Sequence, residues 1–277
     1  MKKIILLVVV LAAVVWSTGC ATSKSLDSFG GGGGSGNSAF QAGNWAFTTS
    51  GGINGAIAMG GNLVDSGGTV SGDLFVIGDV GSGFNDLSTP MAVTGTLSSG
   101  TLTLNGTIGG SAIAITFTSV PTTGTITTLS GTYTVTGGTD TGDTGSITGV
   151  AAGSFSGTWS GTDATTGGTM TVNFTEATTA AADGSFPLTA TSGTGVLFTG
   201  GTGCTLAGSL NSGTSFVAGG IVYLNITATD GVVTFFGVAD NAASPATLSG
   251  GGYTYNGATS CMLQTGGAQI PLTLTKQ

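Results

Sequence analysis

The chain has 277 residues, of which only 6% are charged: Lys+Arg 4 against Asp+Glu 12, with no His. There is no Arg, and the lysines are Lys2, Lys3, Lys24 and Lys276. Phosphate binding needs Lys/Arg neutralisation, so this balance excludes nucleic acid and argues equally against anionic lipid surfaces and phosphorylated substrates.

Residues 1–20 read MKKIILLVVVLAAVVWSTGC. Lys2 and Lys3 form a basic start, and Ile4 to Val15 is an uninterrupted apolar run. The run is too short for a spanning helix, which needs about 20 residues, and has the length of a signal-peptide core. Small residues, Ser17-Thr18-Gly19, then lead directly into Cys20. This end resembles the lipobox of bacterial lipoproteins, with Ser17 in place of the Leu usual three residues before the Cys. The resemblance implies cleavage after Gly19 and acylation of Cys20 on its sulfur and its new amino group. Two or three acyl chains anchor stably where one holds only marginally, at about 0.8 kcal/mol per buried CH₂. Ala21 rather than Asp follows the Cys; by the same resemblance this directs the protein to the outer membrane of the cell envelope, facing the periplasm or the cell surface. A plain secretory signal or an uncleaved anchor is the other reading. If cleavage occurs, Lys24 and Lys276 are left against 12 acidic side chains.

Residues 20–38 form the expected tether. Five consecutive glycines, Gly30 to Gly34, resist helix and strand through their backbone entropy, and a Gly/Ser tract behaves as a flexible linker. A phosphate-cradling loop is excluded there, because the tract lacks GK[ST] and any basic partner.

From Ala39 onward the hydrophobic period is two. Thr169 to Thr175 alternates without error. Ile113, Ile115 and Phe117 fall on one face between Ala112 and Thr118; Tyr133 and Val135 stand opposite threonines; Val222, Leu224 and Ile226 alternate with Tyr223, Asn225 and Thr227. Thr is β-branched and polar, which suits the wet face of a strand. Turn dipeptides recur about every ten residues, and Asn105-Gly106 and Asp230-Gly231 have the composition of tight hairpin turns. No stretch after Cys20 carries a helical period. The body is predicted to be all-β and mostly antiparallel, since parallel pairing needs crossover segments.

The chain also repeats itself. Gly43-Asn44-Trp45 matches Gly157-Thr158-Trp159, and Gly95 to Gly100 matches Gly208 to Gly213. Leu129-Ser130-Gly131…Tyr133 matches Leu248-Ser249-Gly250…Tyr253, and Thr144-Gly145…Ile147 matches Thr265-Gly266…Ile270. The offset stays near 114 residues and grows to about 120 at the end. Two units are therefore expected, 39–152 and 153–277, each long enough to bury its own core and hold about eight short strands. A closed barrel and a two-sheet sandwich read alike at this level. Gly-x-Trp on the first strand of a meander resembles the lipocalin and avidin barrels, which implies a Trp plugging one barrel end; simple core packing of Trp45 and Trp159 is the plainer expectation. Taken with the lipobox and the Gly tether, Leu129 to Gly138 and Ser156 to Trp159 are similar to stretches in Gly/Thr-rich, uncharacterised lipoproteins of soil bacteria. That resemblance implies a location and no activity.

Cys204 and Cys261 remain once Cys20 is assigned to lipid. An exported chain meets an oxidising compartment, where an even pair favours a disulfide. By the repeat offsets Cys204 corresponds to Met91 and Cys261 to about Asp140, so both cysteines are peculiar to the second unit. Two free buried thiols are the alternative.

Without His or Arg, Ser–His–Asp and Cys–His sites and guanidinium clamps are impossible. Zinc would need His or clustered Cys. Glu176 is the only Glu, and Asp65, Asp73, Asp79, Asp86, Asp163 and Asp183 are scattered in expected turns, which leaves little for paired-carboxylate chemistry. Asp140 and Asp143, in GGTDTGDTGS, are the best Ca²⁺ candidates; they lack the EF-hand order, and a plain turn is the expected reading. No catalytic, cofactor or metal residue is assigned. The expected function is a membrane-anchored envelope lipoprotein with a non-enzymatic structural or interaction role, its partner an envelope protein or small ligand. The alternatives are a barrel carrying a small apolar molecule or glycan, a transmembrane barrel, and a carboxylate-dependent enzyme.

Overall fold

The computed structural model describes residues 39–53, 55–78, 87, 89–164, 167–191, 195–200, 205–240, 246–257 and 269–277. The signal segment, the Gly tether, Cys20, Cys204 and Cys261 lie outside the described residues, so the lipid and disulfide assignments are not addressed by the structure. Among the described residues all regular structure is β.

The first half contains β1 (Ala39–Phe40), β2 (Gly43–Ser50), β3 (Ala58–Ser66), β4 (Thr69–Ile77), β5 (Met91–Ser98), β6 (Thr101–Ile108), β7 (Ser111–Phe117), β8 (Thr125–Ile126), β9 (Thr128–Thr136) and β10 (Thr144–Ala151). Eight of these close on themselves in the order β10-β2-β3-β4-β5-β6-β7-β9, every neighbour antiparallel. The short parallel pair β1–β8 stands beside the ring.

The second half contains β11 (Gly157–Thr162), β12 (Thr169–Glu176), β13 (Phe186–Ala190), β14 (Gly195–Thr199), β15 (Thr205–Leu210), β16 (Phe216–Ala218), β17 (Ile221–Ala228), β18 (Gly231–Asp240), β19 (Thr247–Tyr255), β20 (Ile270–Pro271) and β21 (Leu274–Lys276). Here β11-β21-β19-β18-β17-β15-β14-β12 follow one another, and the β11–β12 pairing closes the ring. The protein is thus two tandem eight-stranded antiparallel barrels. The choice between barrel and sandwich is settled by the first ring strand of each unit pairing with the last, β2 with β10 and β11 with β21.

Period two becomes inside and outside. In β7 the burial alternates, with Ile113, Ile115 and Phe117 inward; in β12 Met170, Val172 and Phe174 do the same. An eight-stranded barrel is just wide enough for its own side chains to fill. Trp45, Phe47, Phe117 and Tyr133 belong to one buried cluster in the first barrel, with Trp45 and Phe47 stacked at 6.0 Å and Phe47 and Phe117 at 5.8 Å. Trp159, Phe174, Phe198, Phe235, Tyr253 and Tyr255 belong to the equivalent cluster in the second. The outer wall carries the hydroxyls. Thr69, Thr96, Thr103, Thr116, Thr132, Ser146 and Ser50 are paired in succession across seven strands of the first barrel.

The repeat extends to backbone conformation. Gly43 and Gly157, each two residues before the Trp, have φ of 130° and 133°. A side chain at such φ is strained, which explains why the motif is Gly-x-Trp. Each Trp then donates its indole N–H to a carbonyl four residues back, Trp45 to Gln41 at 2.7 Å and Trp159 to Phe155 at 2.9 Å. An aromatic ring stacks on each, Phe40 at 4.7 Å and Phe155 at 6.2 Å.

Two expectations need correcting. Asn105-Gly106 is not a turn: both residues lie inside β6, and Gly106 pairs with Val93. A Cβ there would sit 2.7 Å from the Met91 sulfur, so this Gly makes room for core side chains rather than for a bend. The fourth repeat match is also displaced. The counterpart of β10 is β21, which pairs with both β11 and β19, whereas Ile270 lies in β20 off the ring. By contrast Asp230-Gly231 does stand at the β17–β18 hairpin, where Ala228 pairs with Gly231.

Strands β13 and β16 form a second path from β12 to β17, outside the ring. This flap reaches the first barrel, with β16 against β2 and β3. Phe75 of β4 lies 4.7 Å from Phe216, and Ala218 and Ile221 are buried with it. Asn44 holds Gly219 from both sides: the Gly219 N–H donates to Asn44 Oδ1 at 2.5 Å, and Asn44 Nδ2 donates to the Gly219 carbonyl at 3.3 Å. Residues 36–277 accordingly form one compact unit.

Candidate functional site

The buried polar groups of the first barrel collect at the end opposite Trp45. Thr49, at the far end of β2, and Tyr133 of β9 both face inward there. The β9–β10 turn folds Asp143 over them, and Asp143 is wholly buried. Its Oδ1 accepts from the Tyr133 hydroxyl at 3.1 Å and from the Ile53 N–H at 3.0 Å. Thr49 Oγ1 accepts from the Ile57 N–H at 2.8 Å, and the Thr49 side chain also bonds Tyr133. Burial, then the bond to Asp143, raises the Tyr133 phenol above its ordinary value. Asp140, three residues before Asp143, is 5% exposed, and Thr139 Oγ1 donates to its Oδ2 at 3.3 Å. The Asp143 N–H in turn donates to the Asp140 carbonyl at 3.1 Å.

The second barrel solves the same problem with a different residue. Tyr253 is the repeat partner of Tyr133, and its hydroxyl donates to Asp163 Oδ2 at 3.1 Å. By the Trp offset Asp163 stands where the first barrel has Thr49. Each barrel therefore closes the end away from its Trp with a buried Tyr bound to a carboxylate. The Asp comes from the β9–β10 turn in one and from the β11–β12 turn in the other. A further buried Tyr, Tyr255, donates to Asp230 Oδ2 at 2.7 Å. Treating Asp163 as an ordinary turn residue missed this; the signal was its position directly after β11, at the place of the inward-facing Thr49.

At the Trp end of the second barrel the only Glu meets the last Lys. Glu176 Oε2 accepts from the Phe155 N–H at 2.6 Å, and the Glu176 N–H donates to Ser156 Oγ at 2.9 Å. Burial raises the Glu176 carboxyl, opposed by the Phe155 N–H, Ser154 and Lys276. Lys276 Nζ lies 5.6 Å from the Trp159 ring centre and donates to the Ser154 carbonyl at 3.3 Å. Lys276 is thus part of the barrel closure although it sits one residue from the end of the sequence.

The remaining acidic residues have structural surroundings. Asp65 lies at the end of β3 and accepts from the Gly68 N–H at 2.7 Å. Asp73 is not in a turn: it sits in the middle of β4. Its carboxyl is raised by burial and by the nearby Asp183 of the second barrel. Asp183 caps its own turn, accepting from Ser185 N–H and Oγ. Asp79 and Asp86 lie outside the described residues. Among the described residues no group of three or more His, Cys, Asp or Glu side chains converges to hold a metal.

A concavity of about 490 Å³ lies on the outer wall of the first barrel, with Ala92, Ala112 and Ala114 among its lining and Asn105, Thr107 and Thr136 beside them. It offers neutral hydroxyl and amide groups over small apolar ones. These arrangements can bind, orient and pack; Asp143 Oδ1, Asp163, Asp230, Asp65, Asp183 and Glu176 accept from Tyr hydroxyls, a Ser hydroxyl or backbone N–H groups. No family model, no curated protein and no solved structure matches the chain.

Proposed function

We propose that the protein is a lipid-anchored component of the bacterial cell envelope, held through Cys20 and a Gly-rich tether, whose paired barrels act as a rigid interaction module rather than as an enzyme or a carrier. The observation that carries this reading is the polarity of the barrels. Their interiors hold their own aromatic and aliphatic side chains, and the first barrel's wall is a neutral field of Thr and Ser. A carrier needs room inside, and a membrane barrel needs an apolar band outside; the distribution here supports neither. Near-absence of basic groups directs partner choice toward neutral surfaces, such as glycans or the polar faces of other envelope proteins.

The test is metabolic labelling with an alkyne fatty acid in a bacterial host, followed by membrane fractionation and native mass spectrometry of the body released by cutting the tether. The expected results are a label and membrane fraction that disappear in Cys20→Ala, and a released body with the mass of the polypeptide alone. An unlabelled, freely soluble full-length protein would overturn the anchor. A co-purifying apolar ligand would overturn the packed-module reading in favour of a carrier.

A further inference from the structure

We propose that the β9–β10 turn, residues 137–143, is a calcium site built on Asp140 and Asp143. The starting observation is an orphaned atom. Asp143 is 0% exposed, and although its Oδ1 is bonded twice, its buried Oδ2 has no hydrogen-bond partner among the described residues. Leaving a charged oxygen buried and unpaired is costly, and proteins resolve such groups by pairing, by metal coordination or by protonation.

Among the described residues an ion pair for this oxygen is closed off. The sequence has no Arg and no His, and the one Lys among the described residues, Lys276, is engaged at the Trp159 end of the other barrel. A second carboxylate, on Asp140, is buried in the same turn, and its main-chain carbonyl is tied to the Asp143 N–H. The polar side chains of the turn offer only oxygens: two carboxylates and the Thr139 and Thr141 hydroxyls, which bond Asp140 Oδ2 and the Gly138 carbonyl, beside the carbonyls of a turn containing positive-φ glycines. Oxygen-only donor sets with two acids match a hard divalent cation with flexible coordination, which is calcium rather than zinc or copper. The Gly residues let the turn adjust its carbonyls, and the site needs water to complete six to eight ligands. Two carboxylates place the expected dissociation constant at about 10⁻⁴–10⁻³ M, the range of extracellular calcium modules.

Full-length protein in detergent, stripped with chelator, would be titrated with CaCl₂ by calorimetry and with TbCl₃ under tyrosine excitation. One calcium site is expected, with terbium emission sensitised by the Tyr133 ring, whose hydroxyl is 3.1 Å from Asp143 Oδ1. Asp140→Asn and Asp143→Asn should each weaken calcium by at least about tenfold, the scale on which even outer-shell partners act. Asp163→Asn, in the other barrel, should leave the affinity unchanged. Tyr133→Phe should keep the calcium heat and lose most of the terbium emission. If Asp143→Asn fails to fold, Asp140→Asn and Tyr133→Phe carry the same decision. Absence of calcium heat in the unmodified protein at millimolar metal would overturn the proposal. Calcium heat that survives Asp140→Asn, or terbium emission that survives Tyr133→Phe, would also overturn it, by placing the metal elsewhere.

Discussion

Single residues do the closing of each barrel. Tyr133 and Tyr253 bury a hydroxyl whose carboxylate partner is itself buried, so removing the hydroxyl leaves an acceptor short of a bond. Tyr133→Phe and Tyr253→Phe are each expected to cost about 1–3 kcal/mol in urea unfolding. A cost below a few tenths would show that water replaces the phenol. The glycine before each Trp makes a separate prediction. A side chain at Gly43 or Gly157 would meet either open space or only the end of Lys276, so its cost comes from the backbone angle alone. Gly157→Ala should therefore destabilise by about 1–3 kcal/mol without disturbing the Trp159 environment seen in its fluorescence. The physics that selects Gly here was visible in the repeated Gly-x-Trp pattern, although the reason for it, a φ near 130°, was not.

Among the elements, the three-residue β21 matters out of proportion to its length. Among the described residues it alone joins β11 to β19, so the second ring depends on it. A chain stopped after Pro271 would open one side of β11 and the Thr247–Leu248 start of β19, and open edges exchange and aggregate. Hydrogen exchange should then rise across β11 and β19 while β2 to β10 stay protected; unchanged protection in β11 would refute the role given to β21. The flap of β13 and β16 is the other decisive element, since among the described residues the first barrel's ring has no counterpart to it. A Cβ on Gly219 would lie 2.4 Å from the Trp45 carbonyl oxygen and 2.5 Å from the Gly60 Cα, which only Gly tolerates.

The two barrels should melt as one molecule. Asn44, Gly219 and the Phe75–Phe216 contact couple them, so a single calorimetric transition is expected, splitting into two in Asn44→Ala combined with Gly219→Ala. Two transitions in the unaltered protein would show that this coupling is weaker than each barrel's own cooperativity. The junction also carries a pH dependence. Asp73 is raised by burial and by Asp183 across the junction. The folded state then binds that proton more tightly than the unfolded chain, so the stability it confers is complete below the ordinary carboxylate value and is lost as pH rises through the raised one. Asp73→Asn should raise the melting temperature at pH 7 and leave it unchanged near pH 3. An equal shift at both values would assign the effect to packing instead of charge.

The sequence by itself determined the β class, the two-fold repeat and the inward and outward faces of the strands, and its charge balance argues against nucleic acid. Each of these depends on local alternation or on composition. Neighbours two residues apart decide which way a side chain points, and a count of Lys and Arg decides what charge the surface can meet. Only the tertiary structure decided that the sheets close, that Asp143 and Asp163 are buried caps rather than loose turn residues, that Asn105-Gly106 is strand, and that Glu176 and Lys276 share one barrel end. Closure requires the first strand of a unit to find its last. The docking of the barrels joins Asn44 to Gly219, 175 residues apart, and the barrel end joins Lys276 to Ser154, 122 apart. Such pairings are selected by whole-chain packing, in which a burial or a bond exists only once distant segments have met, and no local pattern encodes them.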